Sequence, residues 1–523
     1  MTMTQWFLFF LIVQVIHFLG TWKLYIKAGR QAWEAAVPVY NAIILMKIIN
    51  RPKWWVILLF IPIVNLIMFP VIWVETIRSF GKNTTTDTFL VIITLGLYIY
   101  YINYAADVKY IEDRSLRPKS ASGEWVSSLL FAVVAATIVH TYVMQPFTIP
   151  TSSLEKTLLV GDFLFVSKFH YGARTPMTTV SFPMVHDTIP FLKIKSYTNW
   201  PQLPYFRLPG FQDIKRNDIV VFSWPVDTVN SFGRNNGIHY YKPIDKKSNY
   251  VKRCVGLPGD SLKIIDGKVY ANNEPLQLPA RAKPQYSYIG KSNGNGFNTQ
   301  NLYERYDITD GIGFVNSNIF QVRAITEAGA EAFKNHPNVV SLERYISPKD
   351  EVESGIFPGG KASLGNRDQI RSFYIPKKGA TIAINQENIA LYKRIIEVYE
   401  GQEMDSPNKI SRQGTQVLLN GSPLTKYTFK QNYYWMMGDN RHNSEDSRYW
   451  GFVPENHVVG KPVFIWMSWD SNAKGFFNKI RWERLFTTVG GEGQPVSYLW
   501  YFIVALIGYY VISKIVRMRK AKK

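Results

Sequence analysis

The sequence predicts a mainly β domain held at a membrane by transmembrane α-helices. Two patterns carry that prediction. Long uncharged apolar runs stand towards both ends of the 523-residue chain. Between them, residues 144–492 hold short β-branched and aromatic runs, broken by turn residues.

The apolar runs come first. Residues 6–22, 54–74, 88–106, 125–143 and 493–513 are free of Asp, Glu, Lys and Arg. About 20 apolar residues cross a hydrocarbon core of roughly 30 Å, so these five are expected to span. The first lacks a basic leading segment and reads as a retained anchor, not a cleaved leader. Ala35–Met46 is short and contains Pro38, so it is expected to be interfacial or re-entrant.

Charge orients the spans. Lys and Arg number six in the loop 23–53, four in 107–124 and six in 514–523, against two in 75–87 and none in 1–5. Basic loops stay cytoplasmic. The expected arrangement has the start of the chain outside, the basic tail inside and residues 144–492 extracytoplasmic. The net charge is +21, and about half of the excess lies in the hydrophobic ends and their loops. That basicity fits topology and anionic lipid, and no nucleic-acid motif accompanies it. A single cysteine, Cys254, excludes an intrachain disulfide and a cysteine metal cluster. The eight histidines are scattered without ligand spacing.

The β elements follow. Asp162–Lys168, Asp218–Trp224 and Ser261–Ile265 each read as a strand. Asp266-Gly267 and Asn420-Gly421 sit between such runs and predict hairpin turns. Ala324–Phe333 is the one candidate amphipathic helix, and 290–300 and 348–366 read as loops. Residues 267–430 are more charged and less apolar, and read as an inserted second lobe.

Within this frame two residues suggest chemistry. Ser153 follows Ile149-Pro150-Thr151-Ser152 just past an apolar span, and Lys252 lies in the strand-like run Tyr250-Val251-Lys252-Arg253. A serine hydroxyl is a weak nucleophile until a base takes its proton. A lysine can be that base near neutral pH only if burial disfavours its ammonium. Ser152 is a rival nucleophile at this point.

Four ordered runs now carry a resemblance: FTIPTSSLEKTLLVGD (147–162), RNDIVVFSWP (216–225), YVKRCVGLPGD (250–260) and MMGDNRHNSEDSRYWGFVP (436–454). The chain resembles bacterial type I signal peptidases, the serine–lysine enzymes that remove signal peptides from exported proteins. The resemblance leaves residues 1–123 and the last span uncovered. It implies a signal-peptidase-like β fold with catalytic segments 147–266 and 431–488 around the inserted lobe 267–430. Residues 1–123 (three spans) and 124–146 (a fourth) would form the membrane region, and 489–523 a last helix with a cytoplasmic tail.

The resemblance also implies roles. Ser153 would be the nucleophile, ranked above Ser152, and Lys252 the general base, with no metal or organic cofactor implied. Thr151 and the Ser153 N–H would hold the oxyanion. Ser444 would orient the lysine amine, supported by an Asp446–Arg448 pair. Ile149, Pro150, Leu154, Leu158, Tyr250 and Val251 would line the site for the residue before the cut, with Phe147 and Leu164 near the site two residues earlier. The implied substrates are preproteins with small residues at an A-x-A cleavage site, and the implied location is a bacterial inner membrane. The extra spans could contact secretion machinery, and Phe464–Trp469 could dip into lipid.

The run departs from the family pattern at Leu154-Glu155-Lys156 and at His442. Glu155 would raise the Lys252 pKa unless Lys156 or solvent neutralised it. His442 would add a pH dependence or be a solvated loop residue. Three other readings compete: a related serine–lysine peptidase with a narrower job, processing one class of exported protein or cutting itself, an inactive signal-sequence binder and a transporter. The spans and extracytoplasmic placement oppose the self-cleaving type, the intact Ser153, Lys252 and Ser444 set opposes the binder, and the uncharged spans oppose the transporter.

Overall fold

The computed structural model describes residues 1–118, 120–229 and 239–521. Two compact units emerge, one built on Met1–Val143 and one on Lys247–Lys523, each with smaller segments from elsewhere in the chain.

In the first unit, α1 (Met3–Lys27) opens with a Thr2 cap whose side chain accepts from Gln5 N–H. α2 (Tyr40–Ile48), α3 (Trp55–Leu58), α4 (Val64–Ser79), α5 (Thr85–Ile93), α6 (Tyr98–Tyr104) and α7 (Ala121–Ile138) follow. α7 runs on to Val143 as a 23-residue apolar span. Gly20 lets α1 and α6 approach closely, since a Cβ there would stand 2.7 Å from the Tyr100 ring.

Three described helices are long and apolar enough to cross a bilayer: α1, Ala121–Val143 and Leu499–Arg519. Two expected spans take another form. The run 54–74 is split between α3 and α4. Pro62 breaks it, because proline lacks an N–H and disfavours helix in the residue before it, and Ile63 adopts φ +71°. The run 88–106 is α5 and α6, bent by 116°. Gly96 makes that bend at φ +87°, its N–H reaching back to Val91 O at 2.8 Å. Hydropathy registers the apolar length of such a run and misses the break. α2, with nine residues, is about 14 Å long and too short to cross.

Arg174–Leu208 and Tyr241–Lys246 also group with this unit, although the sequence reading places them in the catalytic domain. Residues 174–207 run out and back as an antiparallel ribbon, pairing Thr178 with Gln202, Ser181 with Tyr197 and Thr188 with Lys195. The Asp245 carboxylate fastens its base, accepting from the N–H groups of Met177 and Thr178 at 3.0 Å.

The second unit is the β domain. Its main sheet contains β1 (Met144–Thr148), β2 (Asp162–Ser167), β3 (Ile219–Ser223), β4 (Asn249–Gly256), β5 (Tyr433–Met437), β6 (Val453–Pro454), β7 (Val458–Ser468) and β8 (Thr487–Thr488). The antiparallel order is β1-β2-β7-β3-β4-β5-β6, with β8 on β7. Strands far apart in sequence thus lie side by side, which brings 144–167, 249–256 and 433–437 into one sheet. Both predicted hairpins form, with Asp266-Gly267 and Asn420-Gly421 at positive φ as a two-residue hairpin turn requires.

The region 267–430 divides in two. Gln285–Ser292, Ile312–Phe314, Ile319–Thr326 and Val339–Arg344 form a separate sheet over a cluster that includes Phe320 and Phe333. The later part shares its core with the main sheet: Ile395, Tyr399 and Phe429 belong to one buried cluster with Val255, Trp435 and Phe452.

Candidate active site

Ser153 is placed by a turn pinned at both ends. After β1 the Ile149 N–H donates to Asp162 O, and Gly161 N–H returns to Ile149 O, each at 2.9 Å. The chain between closes into a single 3-10 turn, Ser152–Leu154. Buried Leu154 anchors it, packing with Ile149, Leu158 and Leu164. Ser153 is buried and Thr151 is exposed.

Lys252 comes from β4, paired to Val220 of β3. Its Nζ lies 2.7 Å from Ser153 Oγ and 3.1 Å from Val251 O. The side chain is 3% exposed. Burial lowers its pKa to about 8, opposed by the carboxylates of Asp446, Glu445 and Asp439 and assisted by Arg448. A large fraction of this lysine is therefore neutral slightly above physiological pH, within reach of a hydroxyl. Glu155 is not among its main electrostatic neighbours. Its buried carboxylate accepts from Val160 N–H at 3.1 Å, and burial pushes its pKa up. Lys156 instead pairs with Asp307 at 2.6 Å.

Two buried ion pairs frame Ser153 and Lys252. Arg253, next to the lysine, meets Asp439 through Nε at 2.8 Å and Nη2 at 2.6 Å. Thr157 Oγ1 donates to the same carboxylate at 2.6 Å. Burial alone would raise the Asp439 pKa, but Arg253 outweighs it and holds the carboxyl below its usual value. This clamp ties the turn after Ser153, the lysine strand and the 438–448 loop together. Asp446 and Arg448 form the second pair, with two contacts of 2.9 Å. Asp446 also accepts from Gly438 N–H, and Arg448 donates to Arg441 O. Both side chains are almost wholly buried, so this is no surface ion pair.

The predicted Ser444–Lys252 hydrogen bond is not formed. The lysine amine engages Ser153 Oγ and Val251 O. Ser444 Oγ is buried without a hydrogen-bond partner, although its nearness to Asp446 helps to hold that carboxyl low. Gly438 explains the crowding here: a Cβ would fall within contact distance of Ser444 Oγ and Ser153 O. Gly438→Ala must push the Ser153 carbonyl or the Ser444 side chain aside, and is expected to cut catalytic efficiency about 10²-fold, because a shift of 1 Å at a reacting group costs about that much. Kinetics alongside circular dichroism of the variant would check this.

The expected pocket residues separate. Ile149, Leu154, Leu158 and Leu164 are buried in one apolar cluster, against which Phe147 and Val251 pack half-buried. Leu158 and Leu164 are 1% and 0% exposed, which makes them supporting core instead of contact surface. Pro150 is exposed. Tyr250 packs against a different cluster: its ring stacks on Trp224 and meets Trp450 edge-on, with Lys252 Nζ 5.2 Å from its centroid. Side chains alternate along β4, so Tyr250 and Lys252 share a face that Val251 does not.

Several contacts were not singled out from sequence. Arg253 and Asp439 sit inside recognised runs, yet nothing in the residue string pairs them across the sheet. Asn440 and Asn443 donate to Ser152 O (3.2 Å) and Ser152 Oγ (2.9 Å), and both also donate to Asp310. Ser152 is thereby engaged on its far side while Ser153 meets the lysine. His442 is not solvated: it accepts from Ser287 N–H at 3.2 Å and faces Asp368 at 3.3 Å. Among the described residues no group of three or more His, Cys, Asp or Glu could hold a metal.

Comparison with known proteins accords with this geometry. Residues 122–319 and 374–469 match the family model described as signal peptidase, peptidase S26. Residues 33–113 match one described as a family of unknown function (DUF5684). The chain is 30% identical over 334 residues to Signal peptidase I of Buchnera aphidicola subsp. Baizongia pistaciae, covering 63% of this chain and 72% of that protein. It is 30% identical over 367 residues to Signal peptidase I of Rickettsia massiliae, covering 69% and 87%. With Signal peptidase I of Haemophilus influenzae it shares 23% identity over 396 residues, covering 72% and 79%. A family match extending over more than half of the residues settles the ancestry of the β domain: the chain belongs to peptidase S26, the type I signal peptidases, and is a membrane-bound serine endopeptidase of that family.

Proposed function

We propose that this protein removes N-terminal signal peptides from exported preproteins, cutting after small residues through a Ser153–Lys252 acyl-enzyme cycle. The observation that carries the reading is the 2.7 Å approach of a buried lysine amine to the Ser153 hydroxyl. Neutral Lys252 takes the Oγ proton as Ser153 attacks the scissile carbonyl. The C–N bond then breaks, and the lysine returns the proton to the departing amine of the mature protein. Water, deprotonated by the same lysine, hydrolyses the ester and frees the signal peptide.

The oxyanion is held by the Ser153 N–H, in the first turn of a helix where N–H groups lack intrahelical acceptors, and by the exposed Thr151 hydroxyl. Ser444 takes the lysine amine when Ser153 Oγ turns to the substrate, and its unpartnered buried hydroxyl supports that role. Phe147, Pro150 and Val251 present a shallow apolar surface, backed by buried Ile149 and Leu154, that suits alanine-sized side chains at the cut.

Three crossings support an extracytoplasmic site. With the start of α1 outside, α1 runs inward, Ala121–Val143 runs outward and Leu499–Arg519 runs inward. If α5 and α6 form a re-entrant pair, all 12 Lys/Arg between residues 23 and 119, and the six of the tail, face the cytoplasm. Losing two crossings leaves the side of the β domain unchanged, because parity is preserved.

The test uses the full chain in liposomes with a secretory precursor bearing an A-x-A site, with the new N-terminus mapped by mass spectrometry. Cleavage directly after the second small residue, lost in Ser153→Ala, is the expected result. Wild-type processing by Ser153→Ala would overturn the proposal. Activity should rise with pH through a limb near 8, as the amine becomes neutral. Glu445 raises the Lys252 pKa, so Glu445→Gln should move that limb to lower pH in a kcat/KM profile.

A further inference from the structure

The ribbon of residues 174–208 ends in apolar side chains that its own unit leaves uncovered. Phe191 at its tip is fully exposed, and Leu192, Ile194, Phe182 and Met184 are exposed around it. The backbone holds this display in place. Ile189 N–H bonds Ile194 O across the tip at 2.9 Å, and Phe182 N–H bonds Ser196 O at 2.7 Å. Phe191 sits at φ +69°, a left-handed conformation unfavourable for a bulky residue. A strained turn that offers a phenylalanine to water calls for something to cover it.

Its attachment indicates what that is. Trp6 Nε1, in the first turns of α1, donates to Gln202 O at 2.9 Å. The ribbon is therefore fixed where a membrane-spanning helix leaves the bilayer, and Trp200 stands exposed beside that contact. Tryptophan at such a level is the mark of a membrane interface. Charge agrees: residues 174–208 contain four Lys/Arg and one Asp, and Lys193 is exposed within the apolar tip.

We propose that the tip, residues 182–194, inserts into the outer leaflet of the membrane, with Lys193 at the level of the lipid phosphates. Burial of the five apolar side chains in the acyl–headgroup boundary supplies the attraction, and anionic lipid adds to it. The inference rests on the membrane reading of α1 and is independent of the Ser153–Lys252 chemistry.

The test is a depth measurement on the full chain in phosphatidylcholine–phosphatidylglycerol liposomes. Cys254, the sole cysteine and a buried one, is replaced by alanine. A polarity-sensitive fluorophore is then placed at Phe191→Cys, at Leu192→Cys as a second position, and at exposed Asp350→Cys as a reference. Circular dichroism and thermal unfolding report the fold of each labelled protein. The tip labels should emit to the blue of the Asp350 label, be quenched by nitroxide on the upper acyl chain and resist aqueous iodide. Tip labels that match the reference in emission and iodide quenching would overturn the proposal. So would protection that arises only when a preprotein is added, which would assign the tip to substrate.

Discussion

Lys252→Met is expected to abolish turnover while making the protein more stable at neutral pH. General base catalysis is worth about 10²–10⁴-fold, and without a base the serine stays protonated, so at least that much rate should be lost. The stability gain follows from linkage. Folding lowers the lysine pKa from its ordinary 10.5 to about 8, chiefly through burial. Below pH 8 the folded protein must hold a desolvated ammonium, at a cost on the order of 3 kcal/mol. Between these two values the unfolded chain binds the extra proton, so wild-type stability climbs as pH rises from 8 to 10.5. Methionine has no charge to bury. Its advantage should be full below pH 8 and vanish by about pH 10.5, read as a Tm difference across that range. A variant that is inactive and less stable at pH 7 would show that the amine is held by favourable contacts and not suppressed by burial.

The second large effect concerns Asp439. Asp439→Ala strands the Arg253 guanidinium, 3% exposed, without its partner. Breaking a buried pair from one side costs about 3–5 kcal/mol. The Thr157 contact and the hold on the 438–448 loop go with it, so activity should fall too. Replacing both partners, Asp439→Leu with Arg253→Met, should recover much of the stability, because no buried charge then remains. Chemical denaturation of the three proteins measures this. A single variant within about 0.5 kcal/mol of wild type would mean that the clamp carries no load.

These two predictions rest on residues that were unequally visible in sequence. Ser153 and Lys252 stood out because each sits in a run that resembles a known family, and the sheet order then places them together. The strands around them were legible as alternating or continuous apolar runs, and the hairpins as Asp-Gly and Asn-Gly. Arg253 and Asp439 were in plain view, but their pairing depends on β4 and β5 being neighbours across nearly 180 intervening residues. The resemblance named Tyr250 and Val251 together, and only strand alternation separates them, with Tyr250 on the lysine side of β4. The broken helices at Pro62 and Gly96 escaped a hydropathy reading, which averages over the residues that break them. His442 read as a solvated loop residue because its partners, Ser287 and Asp368, come from segments with no motif.

In the proposed cycle an uncharged Lys252 activates Ser153. Acylation by a slowly hydrolysed peptide ester, followed by mass spectrometry of the intact protein and its digest, tests it directly. The expected product is a single acyl group on Ser153, formed with a pH midpoint near 8 and undetected in Lys252→Met. An acyl group on Ser152, or equal acylation of Ser153 without the lysine, would contradict it.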